Sequence, residues 1–275
     1  MTFEPDPFDS IDRWPASHVA VGTVVRSGTI AAHGELDRPF PLASVTKVLT
    51  TAATLIAIEE EIVELDEPWG PEDATVRHLL AHASGIAAND DRVLAPPGSR
   101  RIYSNAGFEL LGELVSLRAA MPFGQYLREA LTDPLGMTST VLDSSPAHGA
   151  RSTLHDLLAF GHEILAPTLL ADETLALARA PAYPELAGVL PGFGRQDPNL
   201  WGLGFEIRGT KDPHWTGTTC SPATFGHFGR SGTFFWVDPE VDLVCVCLTD
   251  RDFGSWALER WPALSDAIRA RFGRG

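Results

Sequence analysis

Ser44 and Lys47 stand three residues apart in Pro41-Leu42-Ala43-Ser44-Val45-Thr46-Lys47. On a helix that step puts both side chains on one face. A hydroxyl beside an amine is a nucleophile beside its activator, provided the amine can shed its charge. Burial can lower a lysine pKa far enough for this, whereas arginine stays charged. Of 21 basic residues in the chain, only Lys47 and Lys211 are lysines. Bringing Lys47 from about 10.4 to about 7–8 asks for roughly 4 kcal/mol of desolvation and neighbouring charge.

Two other groups carry chemistry. Tyr103-Ser104-Asn105 follows the loop Pro96-Pro97-Gly98-Ser99, and His227-Phe228-Gly229 is followed by Arg230 and Ser231-Gly232-Thr233. Each has a plain structural reading. Tyr103 fits a core tyrosine bonded through its hydroxyl, and His227 fits a buried strand histidine. Asn105 fits a helix cap. Arg230 fits a grip on a substrate carboxylate and a solvent-facing position equally. His78 and His82 have a metal-ligand spacing, but no third ligand accompanies them, which favours a structural role. Trp201 and Phe235 are candidates for the cleft wall or, more simply, for the core.

These groups need a scaffold. His18 to Val25 alternates, Arg26-Ser27-Gly28 turns, and Thr29 to His33 runs back as a hairpin. From Ser44 to about Glu60 the apolar positions Val45, Val48, Leu49, Ala52, Leu55 and Ile56 follow a helical period. Ser44 then sits at the helix start, where unpaired N–H groups favour developing negative charge. Short helices are expected over Thr75–His82 and Asn105–Leu117, and another opens with the cap signal Ser152-Thr153. Pro181 to Pro198 reads as a long loop crossing between halves. Strands follow over Trp201–Arg208, Phe225–Phe228, Gly232–Val237 and Val241–Leu248, then a closing helix over Gly254–Arg271.

The order Ser44-x-x-Lys47, Tyr103-Ser104-Asn105, His227-Phe228-Gly229 resembles the serine hydrolases related to class C β-lactamases, penicillin-binding D,D-peptidases and their esterase cousins. The flanking runs His78 to Gly85, Tyr103 to Gly112 and Pro134-Leu135-Gly136-Met137 are similar to family signatures, and the likeness covers most of residues 18–270. It implies an α/β (α+β) fold, with a five-stranded antiparallel sheet flanked by helices and assembled from both chain ends. Residues 1–60 and 198–275 would form that half and 61–197 a mostly helical half, with the active site in the cleft between.

The resemblance also implies roles. Ser44 would form a covalent acyl-enzyme on an ester, amide or β-lactam, with Lys47 and Tyr103 sharing the proton. Asn105 would hold Lys47 and meet the substrate amide, while His227, Gly229 and Arg230 would line the substrate. The backbone N–H groups of Ser44 and Arg230 would form the oxyanion hole. Most β-lactamases have Lys-Thr-Gly in the third motif, where the lysine contacts the β-lactam carboxylate. The His-Phe-Gly found here points instead to broader ester or amide hydrolysis. An acyl-capturing sensor or an acyltransferase on the same scaffold is the alternative.

Composition narrows the rest. A net charge of −15 and a pI of about 4.9 argue against nucleic acid and anionic membranes as partners. A small molecule or peptide is the expected substrate, with no cofactor and no metal; oligomeric state is left open. The absence of a basic, then apolar, start and the odd count of 3 cysteines suggest the cytoplasm. Cys245 and Cys247 alternate along a strand and read as small buried hydrophobes.

Overall fold

The computed structural model describes residues 6–273. The amino-terminal part holds β1 (Val19–Val25), β2 (Ile30–Gly34), β3 (Phe40–Pro41), a 3-10 turn (Ala43–Val45) and α1 (Thr46–Glu59). Next come α2 (Val76–Leu80), α3 (Asn105–Ala119), and α4 (Phe123–Leu127), which runs on into a π-turn at Arg128–Thr132. The middle closes with β4 (Val141–Leu142), β5 (Ala150–Ser152), α5 (Leu154–Leu165) and α6 (Asp172–Arg179). Then follow β6 (Gly188–Leu190), β7 (Gly194–Gln196), β8 (Glu206–Ile207), β9 (Phe225–Gly229), β10 (Thr233–Asp238), β11 (Leu243–Thr249) and α7 (Ser255–Phe272).

The main sheet is antiparallel and six-stranded, in the order β2-β1-β11-β10-β9-β8. It therefore joins both ends of the chain, and it carries one strand more than the five expected. The sixth is the edge strand β8, only 2 residues long. Trp201 to Arg208 does not form a full strand: Trp201 meets Glu206 through an isolated bridge instead. Pro181 to Pro198 is likewise not all loop, because β6 and β7 pair as a hairpin within it.

Side-chain alternation divides the core between the two sheet faces. Val24, Phe235, Val237, Val244, Val246 and Leu248 face α1 and α5. Val21, Phe234, Trp236, Cys245 and Cys247 face α7, where Ala257, Trp261, Leu264 and Ile268 cover them. Phe235 is thus a core residue, packed against Phe160 with the rings tilted. Cys220, Cys245 and Cys247 are free and buried, and burial pushes each thiol pKa up.

α1 is sheathed by protein on nearly every side; its residues Thr46 to Ala57 are all buried. A helix of this kind runs through the core rather than along the surface. That course carries Lys47, one residue into the helix, to 0% exposure.

Candidate active site

Ser44 lies in the 3-10 turn just ahead of α1, not within the helix itself. Ala43 before it has φ of 45°, a left-handed conformation that costs an L-residue roughly 1–2 kcal/mol. Neighbouring hydrogen bonds hold the turn: Ser231 Oγ donates to Pro41 O at 2.7 Å, and Thr233 Oγ1 donates to Leu42 O at 2.9 Å. Gly229 permits this docking, since a Cβ there would lie 2.4 Å from Leu42 O. Its role in the structure is close approach of β9 to the Ser44 turn. It is absent from the cavity wall, where direct substrate contact was expected.

Tyr103 Oη donates to Ser44 Oγ at 2.8 Å. Tyr103 precedes α3, whose N-cap Ser104 accepts from Gly107 N–H at 3.0 Å. The same Ser104 hydroxyl donates to Ala87 O at 2.6 Å, so the cap also anchors the loop in front. Burial pushes the Tyr103 phenol pKa well up, outweighing the contact with Ser44. The phenol therefore stays protonated at neutral pH.

Lys47 Nζ donates to Asn105 Oδ1 at 2.7 Å and to Ala147 O at 2.8 Å. It also sits 4.8 Å from the centroid of the Tyr103 ring. Burial lowers its pKa to about 7, and the charge of Glu109 opposes that shift only in part. A neutral amine has two N–H bonds to donate, matching the two acceptors, and keeps its lone pair free. Lys47 makes no hydrogen bond to Ser44 in this structure. The direct Ser44–Lys47 contact suggested by their spacing is replaced by the Ser44–Tyr103 contact, because the lysine side chain reaches back toward α3.

Asn105 is bonded at both ends of its amide. Its Oδ1 accepts from Lys47, and its Nδ2 donates to Asn89 Oδ1 at 2.7 Å. It holds the lysine as expected, and its second N–H and second lone pair are free of the bonds to Lys47 and Asn89. Asn89 carried no signal in the sequence, since a loop asparagine is ordinarily a turn former.

His227 is buried, and its Nδ1 donates to Phe228 O at 2.7 Å. Burial first, then the positive charge of Lys47, lower its pKa to about 3. The ring is therefore neutral, not partly charged, and its Nε2 is an acceptor with no protein partner among the described residues. Trp201 is 1% exposed and packs against this ring with centroids 5.5 Å apart.

Ser44, Tyr103, Trp201, His227 and Arg230 share one cavity of about 290 Å3, walled by Leu190, Pro191, Phe228 and Phe253. Arg230 projects an exposed side chain, and its carbonyl accepts from Phe253 N–H at 2.7 Å. Glu206 also reaches this wall, although it is 1% exposed. It pairs with Lys211 and accepts from His214 Nε2 at 2.9 Å and Trp215 Nε1 at 3.0 Å. These partners overcome burial and hold its pKa down to about 2. The second lysine of the chain is therefore spent on a buried ion pair behind the cavity.

His78 and His82 serve separate ends. His78 Nδ1 completes a capping box with Thr75, and His82 Nδ1 accepts from Ser104 N–H at 3.1 Å. No cluster of three or more potential metal ligands occurs among the described residues. No helix among them is long and apolar enough to cross a membrane.

The sheet built from both chain ends, with a Ser-x-x-Lys turn docked against it, defines a mixed α/β protein of the β-lactamase and D,D-peptidase fold. The β-lactamase family model matches residues 19–268, and the chain belongs to that family. A β-lactamase from Mycobacterium bovis (Mb2281c) is 50% identical, with a TM-score of 0.96 over 98% of this chain and 100% of that one. Unliganded simvastatin synthase from Aspergillus terreus shares the fold at 19% identity, with a TM-score of 0.79 over 99% of this chain and 100% of that one. A putative D-alanyl-D-alanine carboxypeptidase of Escherichia coli K12 is 28% identical over 207 residues, covering 56% of this chain and 46% of the relative. The chain thus spans less than half the length of that curated relative.

Proposed function

We propose that the protein is a serine hydrolase that cleaves an ester, amide or lactam of a small molecule or peptide through an acyl-enzyme on Ser44. One observation carries this reading. Ser44 Oγ faces a cavity, bonded at 2.8 Å to Tyr103, beside a fully buried Lys47 whose pKa falls to about 7. An amine with a pKa near the working pH is well matched to general base catalysis.

The reaction divides the labour between the two groups. Ser44 Oγ bonds to the carbonyl carbon while its proton passes to neutral Lys47, whose amine must swing from its resting contacts with Asn105 and Ala147 toward Ser44 to take it. The backbone N–H groups of Ser44 and Arg230 stabilise the oxyanion, each such donor being worth about 3–4 kcal/mol in other enzymes. The bond to the leaving group then breaks, and the leaving atom takes the proton, delivered through Tyr103. A phenol kept protonated by burial suits this donor role better than that of a base. Water repeats the sequence on the acyl-enzyme, releasing the acid and restoring Ser44.

Neutral His227 leaves Arg230 as the only cation on the cavity wall among the described residues, where most β-lactamases present a lysine. This favours esters and amides over β-lactams. The three buried, unpaired thiols support a reducing compartment, the cytoplasm, as its place of work.

The test is turnover of p-nitrophenyl butyrate by wild type and Ser44→Ala. Loss of up to about 10⁶-fold is expected, and a retained wild-type rate ends the reading. Mass spectrometry after fluorophosphonate treatment separates hydrolysis from capture: a Ser44 adduct in a protein that never releases product supports the sensor alternative.

A further inference from the structure

The cavity in front of Ser44 takes its apolar walls from two separate parts of the chain. Leu190, Pro191 and Gly192 come from the β6–β7 hairpin, while Phe228 comes from β9 and Phe253 from the β11–α7 connection. The hairpin forms a small sheet of its own. Its base is fixed by a bridge between Gly188 and Arg101, and its turn is closed by Phe193 N–H donating to Leu190 O at 2.9 Å. From this footing the tip reaches across to the opposite wall.

The two walls meet at Gly192 and Phe253. Gly192 has φ of 79°, and a Cβ there would lie 2.8 Å from Phe253 Cε1. The left-handed backbone and the close approach of the ring both call for glycine. The next residue, Phe193, sets its ring 6.0 Å from that of Phe253 and 5.7 Å from that of Phe228. Phe253 is also held from its own side. Its N–H donates to Arg230 O at 2.7 Å, and its ring lies 5.0 Å from Phe228 and 5.3 Å from Trp261. Gly192 is exposed and Phe253 half-buried, so their contact stands between the apolar interior of the cavity and solvent.

We propose that the Gly192–Phe253 contact is an end stop that sets the length of the acyl arm the enzyme accepts. The inference rests on the serine-hydrolase reading above. Tyr103 hands the proton to the leaving atom and also lines a wider opening of about 610 Å3 beside this cavity. The leaving group departs on that side, and the acyl arm keeps the apolar side, where Leu190, Trp201 and Phe228 bury an alkyl or aryl chain. Since a cavity of ~150 Å3 holds a benzene-sized guest, one of about 290 Å3 holds about twelve heavy atoms. The ester group itself uses about four of these, which leaves an acyl arm of about eight carbons before the chain meets Phe253.

The experiment is a series of p-nitrophenyl esters from acetyl to dodecanoyl, each kept below its micellar concentration. The readout is kcat/KM for each ester relative to the butyrate ester in the same preparation, so a fall in folded fraction cancels. In wild type the ratio is expected to rise about two- to fourfold per added methylene as far as octanoyl. It should then fall by about tenfold on reaching dodecanoyl, because the longer chain must displace a packed ring. Phe253→Ala removes the stop and should carry the rise on to dodecanoyl. Phe253→Trp should end it about two carbons earlier than wild type. A wild-type series that rises unbroken to dodecanoyl, with turnover that depends on Ser44, overturns this inference alone. So does a cut-off that stays at the same length in both Phe253 variants, or one that appears only when the chain is lengthened on the alcohol side, in alkyl acetates. Absence of turnover of every ester by wild type overturns the inference together with the hydrolase reading.

Discussion

Lys47 Nζ and Asn105 Oδ1 are 2.7 Å apart, and the far side of the Asn105 amide is tied to Asn89 Oδ1 at 2.7 Å. The onward bond dictates which end of the amide the lysine meets: Nδ2 is committed outward, so the carbonyl oxygen points in. A neutral oxygen at this position accepts an N–H without adding a charge that would lock the lysine in its protonated form.

That relationship sets the expected pH dependence. Lys47 acts when neutral, so kcat/KM should rise through its pKa of about 7 as pH increases. Asn105→Asp places a carboxylate against the amine, favours the ammonium, and should move this acid limb to higher pH. Glu109 raises the Lys47 pKa, so Glu109→Gln should move the limb to lower pH. Rate profiles from pH 5 to 9 read both shifts, and movement of the two variants in the same direction contradicts the assignment of Lys47 as base.

Charge alone should not rescue position 47. Lys47→Arg is expected to lose about as much ester hydrolysis as Lys47→Ala, at least about 10³-fold, because arginine cannot become a base. An active arginine variant would show that the site needs a cation rather than a proton acceptor.

Tyr103→Phe keeps the ring beside Lys47 and removes only the hydroxyl bonded to Ser44. A loss of about 10²–10⁴-fold in kcat is expected for a proton-transfer group of this kind. Single-turnover measurements should show acylation slowed; unchanged acylation would remove Tyr103 from the chemistry.

Lys211 should matter for stability. Lys211→Met leaves Glu206 buried without its lysine partner, and a loss of about 3–5 kcal/mol is expected from urea unfolding. Glu206 has a depressed pKa, so the stability it contributes is present above its unfolded value of about 4.3 and is lost as pH falls toward about 2. The Lys211→Met protein should therefore lose less stability than wild type between pH 5 and pH 3. Equal acid sensitivity would detach Glu206 from that transition.

Local pattern was enough for much of this protein. The helical period after Ser44, the strand alternation at both chain ends and the three ordered motifs identified the sheet and the group Ser44, Lys47, Tyr103 and Asn105, because side-chain periodicity and cap chemistry are properties of short segments. The β6–β7 hairpin was not legible, since its glycines and prolines equally suit open loop. Nor were the bond between Tyr103 and Ser44 in place of Lys47 and Ser44, the neutrality of His227, the use of Lys211 to pair Glu206, and the contact of Gly192 with Phe253 at the end of the cavity. Each depends on segments far apart in the chain coming together, and on how completely water is excluded where they meet. Burial and long-range partners set charge states and hydrogen-bond choices, and only the folded chain decides those.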